Sequence, residues 1–500
     1  MLDQTAVEKL DVEAVNKGAK QNAQPLYAAR QKVHPKRAEG TYRRLKWIIM
    51  AVTLGIYYIT PWLRWDRGAH APDQAVLVDL AGRRFFFGGI EIWPQEFYYV
   101  AGLLIMAGIG LFLVTSAFGR AWCGYSCPQT VWTDLFMAVE RFIEGDRNAR
   151  MRLDKAPWGP EKIAKRISLH SVWLVIALLT GGAWVFYFAD APTLLSQIVS
   201  GTAPFAAYGA IALLTFTTYS LAGLMREQVC TYMCPWPRIQ SAMLDEDSFI
   251  VTYKTWRGEP RGSVKEKLAE PGIGDCVDCM ACVNVCPTGI EIRNGPQLEC
   301  ITCALCIDAC NDTMHKLGRA PDLIGYTTLK RDEEERKGAA LKPIWQTLLR
   351  PRLLLYFALW AAIGIGMAVT LAGRERMELL VSQDRNPVYV QLSGGDIRNG
   401  FTVKLLNKEL QPRDFILTVE GLPEARISDP LLGGEPGTQI ALTARADGVE
   451  TRHLQVRVPP AALEGKEHRD FAFVARAADG QGETRQAARF TGPPPAGDGG

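Results

Sequence analysis

No cysteine precedes Cys123 and none follows Cys310 in this 500-residue chain. The C-terminal stretch therefore offers neither a thiolate ligand nor a disulfide. Net charge is nearly absent, with 56 Lys and Arg against 53 Asp and Glu, so nothing points to nucleic acid or to an acidic substrate. No C-x-x-C-H occurs, which excludes covalent c-type haem, and no flavin-anchoring pattern is evident. The first forty residues are polar and charged, and no small-residue cleavage pattern follows the first apolar block, so a cleaved signal peptide is not expected. The segment Ala189–Ala203 has no Lys or Arg.

What is present is bimodal. Apolar blocks alternate with charged stretches, and five are long enough to cross a hydrocarbon core, which takes ~20 residues. They lie near Trp47–Leu63, Phe97–Phe118, Val172–Phe188, Pro204–Met225 and Leu353–Leu371. Trp47 and Trp62 bracket the first like an interfacial belt. Basic residues crowd before the first block (Lys36, Arg37, Arg43, Arg44, Lys46) and between the second and third (Arg120 to Arg166). That asymmetry predicts a cytoplasmic N-terminus and an exterior C-terminus, although Arg64, Arg67, Arg83 and Arg84 dissent mildly. The orientation leaves all twelve cysteines in a reducing compartment, where thiolates stay free for metal.

Eight cysteines form two runs of C-x2-C-x2-C-x3-C. Cys276, Cys279, Cys282 and Cys286 precede Pro287, and Cys300, Cys303, Cys306 and Cys310 precede Asn311. This spacing wraps three thiolates around one cubic iron–sulfur cluster and sends the fourth to its neighbour. It assigns Cys276, Cys279, Cys282 and Cys310 to a first cluster and Cys300, Cys303, Cys306 and Cys286 to a second. Zinc sites favour paired C-x2-C units or Cys/His sets, and a disulfide scaffold needs an oxidising compartment. One-electron transfer follows.

The other four cysteines repeat a second motif. Cys123-Gly-Tyr-Ser-Cys127-Pro128 follows the second block and Cys230-Thr-Tyr-Met-Cys234-Pro235 follows the fourth. The two hairpins read as copies of one unit. The residue before proline is pushed out of the helical region, so Cys127 and Cys234 are expected at breaks. Proline suits the first turn of a following helix, and Val131, Trp132, Leu135, Phe136, Val139 and Phe142 make one apolar face, predicting an amphipathic helix along the membrane surface. Four sulfurs suit copper(I), zinc or iron; the alternative is small buried residues at helix ends. His170 reads as a polar anchor or a ligand, and His315 as a neighbour of the cluster ligands or as incidental. Met225, Met233 and Met243 flank the second motif as packing or as thioether ligands. Glu140, Glu144 and Asp146 are expected on a solvated face.

After residue 374 the pattern turns to strands: Pro387–Leu392, Phe401–Leu406, Asp414–Glu420, Thr438–Ala444, His453–Val458, Asp470–Ala475 and, more weakly, Thr484–Phe490. Turns are expected at Asn399-Gly400, Asp447-Gly448 and Asp479-Gly480. About seven short strands suggest an immunoglobulin-like sandwich.

The chain also carries His34-Pro-Lys-Arg, Gly40-Thr-Tyr-Arg, Gly119-Arg-Ala-Trp-Cys-Gly-Tyr-Ser-Cys-Pro-Gln-Thr-Val-Trp-Thr-Asp134, Glu140-Arg-Phe-Ile-Glu-Gly-Asp-Arg147 and Ile397-Arg-Asn-Gly-Phe-Thr-Val-Lys-Leu-Leu-Asn-Lys408. With these it resembles the CcoG/FixG/RdxA membrane ferredoxins, accessory proteins of cytochrome c oxidase. The resemblance implies a multi-pass bacterial inner-membrane protein that helps assemble the cbb-type oxidase by reducing copper(II) to copper(I). It implies two [4Fe-4S] clusters on the eight run cysteines and carries the C-x3-C-P pairs over to Cys123, Cys127, Cys230 and Cys234. It also implies an exterior immunoglobulin-like domain.

The expected architecture is mixed: an α-helical membrane domain of five transmembrane helices, an inserted bacterial-type two-cluster ferredoxin domain and a C-terminal β-sandwich. The expected segments are 1–46 (cytoplasmic), 47–250 (four-helix membrane domain), 251–342 (cytoplasmic ferredoxin), 343–373 (fifth helix), 374–491 (periplasmic sandwich) and 492–500 (disordered tail). Copper as substrate or bound ion, a cytoplasmic electron donor, copper-transport and oxidase-assembly proteins, and membrane lipid are the expected partners. Rival readings are an electron-transfer subunit serving quinol or a cytoplasmic donor, and a non-enzymatic copper scaffold.

Overall fold

A computed structural model describes residues 32–494 except 69–70, 264–271, 342, 375–376, 410, 432, 434, 447 and 481. Residues 1–31 of the expected N-terminal segment, Asp447 of one expected turn and residues 495–500 of the expected tail lie outside the described residues. In chain order the principal helices are α1 (Thr41–Ile59), α2 (Tyr98–Phe118), α3 (Pro128–Glu144), α4 (Pro160–Val185), α5 (Phe205–Thr218), α6 (Leu305–Lys316) and α7 (Pro351–Ala372). Five segments, Thr41–Trp62, Pro94–Phe118, Pro160–Val185, Phe205–Met225 and Pro351–Ala372, are long and apolar enough to cross a membrane. The expected five-helix architecture, with ferredoxin insert and sandwich, is what the chain adopts.

The chain divides into two compact units. Among the described residues, one comprises residues 32–53, 111–179 and 214–353; the other comprises 54–110, 180–213 and 354–494. All twelve cysteines fall in the first.

In the first unit, two spans begin earlier than their apolar content suggests. Helix α1 starts at Thr41 because Asp308, on α6, accepts the backbone N–H groups of Tyr42 and Arg43 at 3.2 and 2.7 Å. A carboxylate from another element thus caps the helix and meets the positive end of its dipole. Gly40 makes room, since a Cβ there would lie 2.3 Å from the Asp308 carboxyl carbon. Arg43 and Lys46 consequently sit inside the helix, buried, sharing Asp134 at 2.9 and 4.0 Å. Helix α4 starts at Pro160, and no breaker interrupts its basic first turns.

Helix α3 forms as the motif predicts, but its acidic residues do not face solvent. Glu140 is 1 % exposed and bridges Arg150 (2.6 Å) and Arg226 (3.0 Å), while Glu144 is buried against Arg166 (2.8 Å). Phe142, expected on the apolar face, is 91 % exposed. The helix is wedged between elements on both sides, with Phe136 packed on Leu169, Trp173, Ala177 and Ala222. Arg150 and Arg226, buried on neighbouring elements, take the Glu140 carboxylate as partner, because a buried charge persists only when paired. Breaking such a pair typically costs about 3–5 kcal/mol. Asp146 remains exposed, as expected. An antiparallel strand pair, Ile250–Tyr253 with Ile324–Thr327, closes the two ends of the ferredoxin insert.

Outside its C-terminal sandwich, the second unit contains a sheet and a helix absent from the expectation. The stretch after the first span forms a three-stranded sheet (Val76–Asp79, Arg84–Phe87, Ile90–Ile92), and a helix spans Ala191–Ser200 behind an Asp190 cap. The C-terminal sandwich sets Arg426–Ser428, Gly448–Val458, Ile397–Asn407 and Met377–Gln383, with Val390–Gln391 on the Ile397–Asn407 strand, against a sheet of Gln439–Ala444, Arg413–Glu420, His468–Ala477 and Glu483–Thr491. Phe401, Phe415, Phe473 and Phe490 are fully buried between the sheets. Met377–Gln383 and Arg426–Ser428 were not expected. The Asn399-Gly400 turn is a correction: both residues lie mid-strand, paired with Val456 and Gln455. Gly400 is there for close approach, since a Cβ would meet the Asp384 carboxylate at 2.4 Å. Asp479-Gly480 does fall between strands, with Gly480 at φ +77°.

Candidate iron–sulfur and four-thiol centres

The two cysteine runs fold alike to the level of single dihedrals. Asp278 and Met280 in the first run, and Thr302 and Ala304 in the second, have φ of +52°, +56°, +56° and +59°. Each pair occupies the second and fourth positions after the run's first cysteine. None is glycine, and a left-handed L-residue costs of order 1–2 kcal/mol. Four such residues in matched register show a loop bent to turn successive thiols inward. Each run then enters a helix: Ala281–Asn284 holds Cys282, and α6 holds Cys306 and Cys310 one turn apart.

The thiols group as follows. Cys286, Cys300, Cys303 and Cys306 line one cavity, which Cys282 also touches. Burial pushes the Cys310 thiol up to about 12, and the charges of Cys282, Cys279 and Cys276 push the same way. Burial likewise pushes Cys303 up to about 12. Thiols so raised stay protonated near neutral pH, so their thiolate form requires bound cations. Among the described residues no three His, Cys, Asp or Glu side chains close on a single metal ion. Two tetrads of thiols on inward-bent loops fit cubanes, whose irons each take one sulfur; bound clusters would supply one-electron transfer.

Cationic side chains border each tetrad. Arg293 is buried, 4.0 Å from Cys276 Sγ, and paired with Asp278 and Glu291. Arg120 is buried beside the second run, where its Nη1 donates to the carbonyl oxygens of Leu298 and Cys300, the latter at 2.9 Å. Neither arginine was singled out from the sequence. A basic residue one helical turn before a cysteine motif carries no distinctive signal.

The C-x3-C-P motifs sit against the second run. Cys127 and Cys234 are extended, with ψ of 129° and 122°, and both occupy breaks before proline. Cys123 lies in a short helix, Ala121–Tyr125, and Cys230 in a π-helical turn, Val229–Met233. Burial raises the Cys230 thiol to about 12, followed by the charges of Cys127, Cys123 and Cys234, so all four sulfurs interact. Cys123 Sγ donates to Gln240 Oε1 at 3.1 Å. Gly124 is the contact point with the ferredoxin, since a Cβ would lie 2.6 Å from the Ile301 carbonyl oxygen and 3.0 Å from Cys303 Cα. Tyr125 Oη donates to the Cys303 carbonyl at 3.2 Å. Cys234 is exposed and Cys123 buried.

The weaker candidates separate. His170 stands away from the thiols, with Nδ1 2.8 Å from Tyr219 Oη. His315 is exposed on α6. Met233 shares a cavity with Cys230 and Cys234, while Met225 and Met243 are half-buried.

Comparison with known proteins places these features. Residues 225–329 match a 4Fe-4S dicluster domain, residues 100–144 a 4Fe-4S binding domain, and residues 367–493 the IG-like fold at the C-terminal of FixG. The chain is 55 % identical over 496 residues to the nitrogen fixation protein FixG of Rhizobium meliloti, covering 94 % of each. It is 56 % identical over 432 residues to protein RdxA of Cereibacter sphaeroides, covering 86 % of this chain and 91 % of that one. A crystal structure of a FixG-related protein from Vibrio parahaemolyticus aligns over 24 % of this chain and 97 % of its own, at 19 % identity and a TM-score of 0.20.

Proposed function

We propose, since this chain belongs to the FixG family of iron–sulfur electron-transfer proteins, that it reduces copper(II) to copper(I) for assembly of a cbb-type cytochrome c oxidase. One observation carries the reading: four thiols from two repeated motifs gather beside Cys303, with Gly124 allowing backbone contact. Thiolates hold copper(I) better than they hold copper(II), so such a site favours the product of reduction. The tetrad of Cys276, Cys279, Cys282 and Cys310 would hold the first [4Fe-4S] cluster, and that of Cys286, Cys300, Cys303 and Cys306 the second. Arg120, buried between the second run and Cys123, offsets negative charge on both.

A cytoplasmic electron donor, copper-transport proteins and oxidase-assembly proteins are the partners this reading requires. The basic segments before α1 and between α2 and α4, and the gathering of every cysteine in one unit, support a bacterial inner-membrane protein with its cysteines in the cytoplasm and its sandwich in the periplasm. A reporter fused after Gly373 is expected to be active only outside the cytoplasm and one fused after Arg147 only inside. Labelling of native cysteines in intact spheroplasts by an impermeant thiol reagent would refute the orientation.

The function is tested by reducing the purified protein without oxygen and adding copper(II) or a quinone. Copper(II) is expected to restore the oxidised cluster absorbance, with about two equivalents consumed for two one-electron clusters. A second reading, oxidation of a quinol, draws on a cavity of about 400 Å³ lined by Leu169, His170, Trp173, Leu224, Arg226 and Glu227. That volume falls within the ~300–1,000 Å³ typical of organic ligands. Reoxidation by quinone and not by copper(II) would favour it.

A further inference from the structure

A second cavity lies where the four-thiol centre meets the ferredoxin. Its lining includes Cys230, Met233, Cys234, Arg238, Leu298 and Glu299. Its volume is about 200 Å³. A water molecule takes about 30 Å³ of liquid, so the space admits a metal ion with several waters and falls below the ~300–1,000 Å³ of organic-ligand clefts. Cys234 and Met233 are solvent-exposed, which leaves the cavity open to an incoming ion.

The donors are sorted by softness. Glu299 is half-buried, and among the described residues its carboxylate has no hydrogen bond or ion pair. Cys230, Cys234 and Met233 contribute sulfur. Carboxylate and water suit the harder copper(II), whereas thiolate and thioether select copper(I). Glu299 immediately precedes Cys300, so an ion on its carboxylate is one residue from a ligand of the second cluster. Arg238 is exposed to solvent.

We infer that this cavity is the chamber in which copper is reduced, with Glu299 capturing hydrated copper(II) and Cys230, Cys234 and Met233 retaining copper(I). The inference rests on the copper-reductase reading and adds a substrate site to it. Copper(II) gains the one electron that a reduced cluster on Cys286, Cys300, Cys303 and Cys306 would supply. The copper–carboxylate bond breaks, copper–sulfur bonds form, and the displaced thiol protons leave to solvent. The change of charge softens the ion, so transfer from Glu299 to sulfur is more favourable after reduction.

The test uses full-length protein in detergent with both clusters loaded. Glu299→Gln keeps the side chain's size and removes its charge. It is expected to raise the KM for copper(II) about tenfold, which corresponds to about 1.4 kcal/mol, with a much smaller change in kcat. It should weaken copper(II) binding to the oxidised protein, read by the copper(II) electron paramagnetic resonance signal, without altering copper(I) stoichiometry. Met233→Leu should do the reverse: unchanged KM, and faster loss of copper(I) to a chromogenic chelator. If Glu299→Gln has wild-type KM and copper(II) binding while Cys230→Ser with Cys234→Ser abolishes reduction, the chamber is misassigned and the reductase reading stands. If the cysteine variant still reduces copper(II) at full rate, the reductase reading itself fails.

Discussion

Cys282→Ser is expected to strip one cluster outright and to loosen the second, taking the purified protein from about eight irons to about four or fewer. Cys282 sits at the junction. Its thiol interacts with Cys279 and Cys276, and it also borders the cavity lined by Cys286, Cys300, Cys303 and Cys306. Burial pushes this thiol up to about 11, and the Arg293 guanidinium offsets part of that push. Serine keeps the size but is a far poorer ligand for iron. The loss propagates through shared backbone. In the proposed assignment the first run donates Cys286 to the second tetrad, and α6 carries one cysteine of each, Cys306 and Cys310. Iron and sulfide analysis with low-temperature electron paramagnetic resonance would check it. An anaerobic preparation of the unaltered protein that carries zinc and no iron would defeat the cluster assignment.

Replacing Cys123 and Cys127, or Cys230 and Cys234, by serine should leave the cluster spectrum intact and abolish copper binding and most copper(II) reduction. Either pair should suffice because the four thiols are neighbours, the charges of the other three each acting on Cys230. The clusters are expected to survive because the eight run cysteines assigned to them are unchanged. The contacts across the seam use the Gly124 backbone and the Tyr125 hydroxyl, which these substitutions leave in place. In cells the loss should appear as low oxidase activity that added copper partly restores. Full reduction rate and copper stoichiometry in both double variants would make these cysteines structural.

Much of this protein is determined by residue type and spacing. The doubled C-x2-C-x2-C-x3-C spacing gives three thiolates to one cubane and the fourth to its neighbour, so Cys276 to Cys310 announce their chemistry before any fold is known. Length and apolarity likewise mark the five spans, and alternation marks strands such as Arg413–Glu420. Proline chemistry places Cys127 and Cys234 at breaks through a local steric effect.

Tertiary structure decided what depends on partners distant in sequence. Helix α1 begins at Thr41 because Asp308, 267 residues from it, caps it. Glu140 reads as a surface charge and is buried because Arg150 and Arg226 converge on it. Asn399-Gly400 has the composition of a turn, yet the register with Gly448–Val458 holds it in a strand. Gly124 is an ordinary spacer in the motif until the second cysteine run packs within 3 Å of where its Cβ would be. Spacing along the chain specifies which ligands a loop presents; only folding specifies which charges are neutralised and which backbones touch, because both energies depend on distance through space.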